Sequence, residues 1–158
     1  MFIKNPVRFH QLNRICIHYG IPFNNTLSAP VISLNNSWFS GFFDADGTVT
    51  YNKTNHQLAI SVSQKTPELL NSFKLLFGGN IYPDRGLYPS YKWYISNQES
   101  ILLFLSYIKN NPSRSAKRNR LFLIPTYYQL KNLKAHLAPV DSILFKAWKN
   151  FLSSWSST

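Results

Sequence analysis

Two hydrophobic rhythms alternate along the chain, one of three to four residues and one of two, and they predict helices and strands respectively. Phe9, Leu12, Ile15, Cys16 and Tyr19 recur at helical spacing, which predicts an amphipathic helix over 8–19, stopped by Gly20 and Pro22. Residues 22–36, rich in Asn, Ser and Pro, read as a linker. A helix is predicted from Trp38 to Asp46, with Asn36 or Ser37 as its cap and Gly47 as its C-terminal stop. Thr48–Asn52 and His56–Gln64 alternate polar and apolar. In the latter Leu58, Ile60 and Val62 face one way, and Gln57, Ala59, Ser61 and Ser63 the other, so both read as half-buried strands.

Thr66-Pro67-Glu68 predicts a helix start, Leu69, Leu70, Phe73, Leu76 and Phe77 its buried stripe, and Gly78-Gly79 its end. A second hairpin is predicted from Asn80–Arg85 and Ser90–Ser96. There Tyr91, Trp93 and Ile95 share one face, and Ser90, Lys92, Tyr94 and Ser96 the opposite one. Helices over 99–109, 121–134 and 141–152 follow, the second behind a basic lead-in and with Pro125 near its start. Two αββ units in succession predict an α+β fold of order αββαββα, an antiparallel sheet with helices on one face. The other face is left open and polar. A helix and linker over 1–31 precede a single domain over 32–158.

Charge adds a partner to this picture. The chain has 158 residues, 17 Lys and Arg against 6 Asp and Glu, a net charge of +11 and a pI near 9.9. No acid precedes Asp44, and the run between Glu99 and Asp141 carries seven cations and no acid. A solvated face normally mixes both signs, so a polyanion, nucleic acid first, is the expected partner. A hydrophobic content of 44%, with 16% aromatic, excludes a disordered basic tail. The single Cys16 excludes a disulfide framework or a Cys-rich zinc site. Apolar runs such as Leu102–Leu105 fall far short of the roughly 20 residues that span a bilayer. His10, His18, His56 and His136 show no HExxH spacing, and neither a GxSxG elbow nor a Walker or Rossmann glycine pattern is present.

The segment from Trp38 to Gly47 carries the chemistry. Ser40 and Gly41 are small enough to let a second helix approach. Asp44 and Asp46 sit where a helix already places negative charge, so stability alone does not explain them. Carboxylates beside free carbonyls make a hard oxygen site for a divalent ion such as Mg²⁺.

The segment resembles the motif helix of LAGLIDADG homing endonucleases, with the end Gly-Phe-Phe-Asp-Ala-Asp-Gly intact. Ser63-Gln64-Lys65-Thr66, Arg114-Ser115-Ala116-Lys117-Arg118 and Lys146-Ala147-Trp148 are similar to further parts of that family, over about residues 32–152. The resemblance implies that two such helices, from two subunits or two repeats, pack through Ser40, Gly41 and Asp44. It implies that Asp46 binds Mg²⁺ and is catalytic, with a backbone carbonyl from Ala45 or Gly47, and that a metal-activated water hydrolyses each DNA strand. Lys117 matches the family's active-site lysine, with Ser115 as the alternative one register away and Lys65 and Arg118 as further cations. The polar position of the second strand aligns with Ser61. Nucleic acid would meet Gln57, Ser61, Ser63, Lys65, Arg85, Lys92, Tyr94, Arg114, Arg118 and Arg120, with Tyr82 and Tyr88 near the same face.

One motif per chain implies a homodimer, a separate second LAGLIDADG half, or a place in a larger ribonucleoprotein. Residues 8–37 resemble the join ahead of the second repeat in two-repeat mitochondrial intron-encoded proteins, so a mitochondrial location is expected rather than a chloroplast one. Two functions follow from the resemblance. The first is a Mg²⁺-dependent site-specific double-strand DNA endonuclease. The second is a non-catalytic RNA-binding protein of the same fold, an intron maturase, splicing cofactor or component of an organellar ribonucleoprotein such as a mitoribosome.

Overall fold

A computed structural model describes residues 6–22, 33–84 and 89–158, with side chains from residue 10 onward in the first helix. The chain divides into two compact units, Met1–Ser33 and Leu34–Thr158. In the first, α1 spans Pro6–His18, and Gly20 ends it with a left-handed φ of 62°. Part of the expected linker, residues 23–32, lies outside the described residues, as do Arg85 and Tyr88.

The second unit opens with α2, Trp38–Asp46. Its start is held by Asn36, whose Oδ1 accepts from the Trp38 N–H at 3.1 Å, while Ser37 makes no side-chain cap. Then follow β1 (Gly47–Asn52), β2 (Gln57–Gln64), α3 (Glu68–Phe77), β3 (Asn80–Asp84), β4 (Ser90–Ile95), α4 (Gln98–Asn110), α5 (Lys117–Asn132) and α6 (Ile143–Ser156). Gly78 and Gly79 end α3 with φ of 74° and 85°. No helix among the described residues is long and apolar enough to cross a membrane.

The four strands form one antiparallel sheet in the order β1-β2-β4-β3. The central β2–β4 pairing joins the two αββ units. Alternation decides the faces: Val49, Leu58, Ile60, Val62, Trp93 and Ile95 point to the helices and are buried. They meet Phe39 and Phe43 of α2, Leu70, Phe73 and Phe77 of α3, and Ile101 and Phe104 of α4. Aromatic rings dominate this core. Trp93 lies 5.0 Å from Phe73 and donates its indole N–H to the Gly78 carbonyl at 2.9 Å.

Two boundaries depart from the sequence pattern. The helix expected from Leu121 begins at Lys117, so the basic lead-in is its first turn. Cations there oppose the helix dipole. The turn forms because Lys117 and Arg120 are both drawn onto backbone carbonyls of other elements, of α2 and of Val49 respectively. The last helix begins two residues later than expected, where Ser142 caps it by accepting from the Phe145 N–H at 3.1 Å. Two histidines distant in sequence also meet. The His56 and His136 rings lie 5.3 Å apart, packed on Trp148, and Tyr127 and Lys131 both donate to the His56 carbonyl.

Candidate active site and nucleic-acid face

The two acids that close α2 have different surroundings. Asp44 accepts from the Ser113 hydroxyl, from the Ser115 hydroxyl at 2.7 Å and from the Arg114 N–H at 2.7 Å. Burial pushes its pKa up, but the bonds from Ser113, Arg114 and Ser115 outweigh burial, and the carboxyl ends below its ordinary value. A depressed carboxylate pKa contributes stability that is complete above the unfolded value of 3.8 and is lost as pH falls through the folded one. Asp44→Asn is therefore expected to be destabilised near neutrality and to show a flatter acid limb. Urea titrations at about pH 3 and about pH 6 check this.

Asp46 is exposed, and its Oδ2 accepts from the Gln64 side-chain amide at 2.7 Å. Gln64, rather than Ser61, is thus the second-strand polar group beside the motif helix. Ser61 lies on the opposite face of β2, paired with Thr48 and Tyr94. The reason is parity: Gln64 shares the inward face with Val62, and at the strand end that face opens onto the end of α2. The one sequence signal was the Ser63-Gln64-Lys65-Thr66 junction.

Lys117 donates from Nζ to the carbonyls of Phe43, Asp44 and Ala45 at 3.1, 2.7 and 3.2 Å. A cation on the last carbonyls offsets the negative helix end, which eases the cost of placing two carboxylates there. It also donates to the Ala45 carbonyl, beside which the Asp46 side chain is exposed. The register alternative, Ser115, is committed to Asp44.

Gly47 is not the left-handed stop that the pattern predicts. Its backbone is extended, with φ −80° and ψ 160°, and begins β1. It is glycine because a Cβ would stand 2.1 Å from the Phe43 ring, which is fully buried. Gly47→Ala is expected to cost about 1–3 kcal/mol through overpacking, read as a lowered urea midpoint with an unchanged slope.

Ser37, Ser40, Gly41 and Asp44 recur at helical spacing and, with Pro112 and Arg114, line a recess of about 280 Å³. Of the three residues expected at a helix interface, Ser40 is only 2% exposed, enclosed by its own chain. Gly41 is exposed and has no heavy atom within 4 Å of where a Cβ would stand. The room for a second helix is therefore at Gly41.

On the open sheet face the register sets out two rows. Thr48, Ser61, Tyr94 and Asn80 form one, and Ser63, Lys92 and Tyr82 the next. Gln57 lies opposite Asn52 at the far end of the β1–β2 pair. Tyr82 and Tyr94 make an edge-to-face pair at 6.5 Å. Lys65 and Arg114 are exposed beyond the strands.

Two further residues expected to meet nucleic acid lie on α5 rather than on the strands. Arg118 lines an apolar recess of about 470 Å³ between α4 and α5, beside Leu102, Leu105 and Phe122. Arg120 is tucked beneath the sheet, with Nη1 donating to the Val49 carbonyl at 3.3 Å and its guanidinium 5.7 Å from the Trp155 ring. Arg120 is half-buried in the helix layer, where α5 packs against β1, whereas Arg118 remains exposed. Among the described residues no three His, Cys, Asp or Glu side chains gather into a metal cage.

Comparison with known proteins follows the same lines. The family model for LAGLIDADG endonucleases matches residues 39–128. The chain is 40% identical over 160 residues to the intron-encoded RNA maturase bI4 of Saccharomyces cerevisiae, covering 98% of this chain and 25% of that protein. It is 36% identical over 172 residues to the probable intron-encoded endonuclease aI2 of Debaryomyces hansenii, covering 98% of this chain and 26% of that protein. It thus spans about a quarter of the length of these two relatives. The LAGLIDADG meganuclease I-AabMI, in its crystal structure bound to uncleaved DNA, aligns with a TM-score of 0.54 at 27% identity, over 65% of this chain and 39% of that one. The motif helix, the antiparallel αββαββ arrangement and the family match from Phe39 to Tyr128 make this chain a member of the LAGLIDADG endonuclease family.

Proposed function

We propose that the chain is one half of a Mg²⁺-dependent, site-specific double-strand DNA endonuclease of mitochondria. The observation that carries this reading is the inequality of the two acids. Asp44 is spent on Ser113, Arg114 and Ser115, whereas Asp46 is exposed with Gln64 as its partner. Mg²⁺ is bound through one or two carboxylates and keeps several waters. A single outward carboxylate with no soft ligand nearby fits that requirement as half of a site. A second motif helix packed at Gly41 would bring the other half, from a second copy or from a separate LAGLIDADG half.

When bound, the metal supplies an activated water and neutralises charge on the scissile phosphate. Gln64 orients the Asp46 carboxylate by holding Oδ2. Lys117 holds a positive charge at the same helix end, where charge would develop on a phosphate. Gln57, Ser61, Ser63, Lys92 and Tyr94 face the duplex from the sheet, and Lys65 and Arg114 add charge beyond it. The relatives are intron-encoded, which supports a target at an intron insertion site.

One observation favours a second reading: the 40% identity, across nearly the whole chain, is to a protein named an RNA maturase. Cleavage of duplex DNA carrying intron insertion sequences in Mg²⁺, beside Asp46→Asn, separates the two. Discrete cutting that the variant lacks supports the nuclease. No cutting, with salt-sensitive RNA binding that the variant retains, replaces it with the RNA-binding protein.

A further inference from the structure

Five of the six acids sit at helix ends. Asp44 and Asp46 close α2, Glu68 and Glu99 lie in the first turns of α3 and α4, and Asp141 precedes the cap of α6. Asp84 alone serves no helix. It lies on β3, opposite Ser90, two residues from Tyr82, and therefore on the open face. A carboxylate there is repelled by any phosphate backbone that the face approaches. Its neighbour is Lys92, with Nζ 3.9 Å from Oδ2, and the two side chains are 51% and 43% exposed. A surface pair of this kind adds little stability, and both heads are free to turn outward.

We propose that Asp84 and Lys92 together read one C·G base pair through the major groove, Asp84 accepting from the cytosine N4 amino group and Lys92 donating to guanine O6 and N7. This rests on the duplex-DNA reading above. Cytosine N4 and guanine O6 are hydrogen-bonded partners about 2.9 Å apart. An acceptor and a donor at 3.9 Å on the protein can meet both in one plane. Reversing the pair sets the carboxylate against O6 and N7 and the ammonium against the amino group, and both contacts become repulsive. An A·T pair offers Asp84 the N6 amino group, but the adenine N7 lone pair lies beside it. That pair also gives Lys92 a single acceptor, O4, next to the thymine methyl. Of the four arrangements C·G alone gives Asp84 its donor without an adjacent lone pair and Lys92 two acceptors.

The test is selection from a randomised duplex pool without divalent metal, by the full chain and by its Asp84→Ala and Asp84→Asn variants. Both substitutions are at an exposed position and leave the core untouched. The expected wild-type consensus contains a C·G position, with a symmetry mate in a dimer, preferred about tenfold over the other pairs. Asp84→Ala loses that preference there and keeps it elsewhere. Asp84→Asn moves the preference from cytosine to adenine, because an amide pairs with N6 and N7 together. A wild-type consensus that neither variant alters, or that both weaken evenly at every position, overturns the base-pair assignment alone. A wild-type protein that selects no duplex consensus overturns the DNA reading, and this assignment with it.

Discussion

Asp46→Asn is expected to lower the DNA cleavage rate by at least about a thousandfold while duplex binding without metal changes by no more than about twofold. A thousandfold corresponds to about 4 kcal/mol of transition-state stabilisation, the scale on which a metal acts on a phosphoryl group. The substitution is isosteric. An asparagine oxygen still accepts from the Gln64 amide, and the position is exposed, so neither core nor α2 is disturbed. What is lost is the anionic oxygen. Binding without metal does not use that charge, and removing a negative charge from a face that meets phosphates does not weaken it. Single-turnover cleavage with excess protein, beside a mobility shift without metal, measures both quantities. A tenfold loss of binding with cleavage in proportion would mean that Asp46 supports the nucleic-acid face and not the reaction.

The second large effect concerns stability. Trp93→Ala is expected to cost about 3–5 kcal/mol, against a total of about 5–15 kcal/mol for a domain. Trp93 is fully buried at the middle of β4, the strand that joins both halves of the sheet. Its ring contacts Phe73, Phe77 and Phe104, with centroids at 5.0, 6.2 and 6.1 Å. The hole left is lined by stiff aromatic rings from α3 and α4 that collapse poorly. The Gly78 carbonyl also loses its indole donor where α3 turns into β3. At about 2–4 °C per kcal/mol, the melting temperature should fall by roughly 6–20 °C. Urea unfolding followed by circular dichroism reads the change directly. A midpoint within error of wild type would show that the sheet does not depend on this packing.

Much of the domain was legible because its signals are local. Helix and strand periods name which side chains share a face within a segment, and the αββ repeat then leaves one sheet with one open side. Strong punctuation helped: Gly78-Gly79 stops α3 with positive φ at both residues. The motif residues are contiguous, so the acids at the end of α2 could be named from the chain alone.

The neighbourhood of the motif acids was less legible because its parts are far apart in sequence. Ser113, Ser115 and Lys117 reach the end of α2 across separations of 69, 71 and 72–74 residues. No periodicity reports such contacts. Gln64 was passed over for Ser61, three residues and one face away, because only packing reveals which inward residue reaches the end of α2. Arg120 reads as a nucleic-acid contact because a basic run looks alike whether it faces phosphate or carbonyl. Its guanidinium is drawn onto the Val49 carbonyl, while Arg118 of the same turn stays exposed.

The sequence by itself determined the elements, the faces they bury, the excess of cations and the two acids of the motif, since each follows from composition or from spacing within one segment. Tertiary structure alone decided that Asp44 is consumed as a structural anchor while Asp46 is presented, that Lys117 closes the motif helix, and that Asp84 stands on the open face. Those outcomes depend on which distant donors arrive within hydrogen-bonding distance, and that is settled only when the sheet and its helices pack.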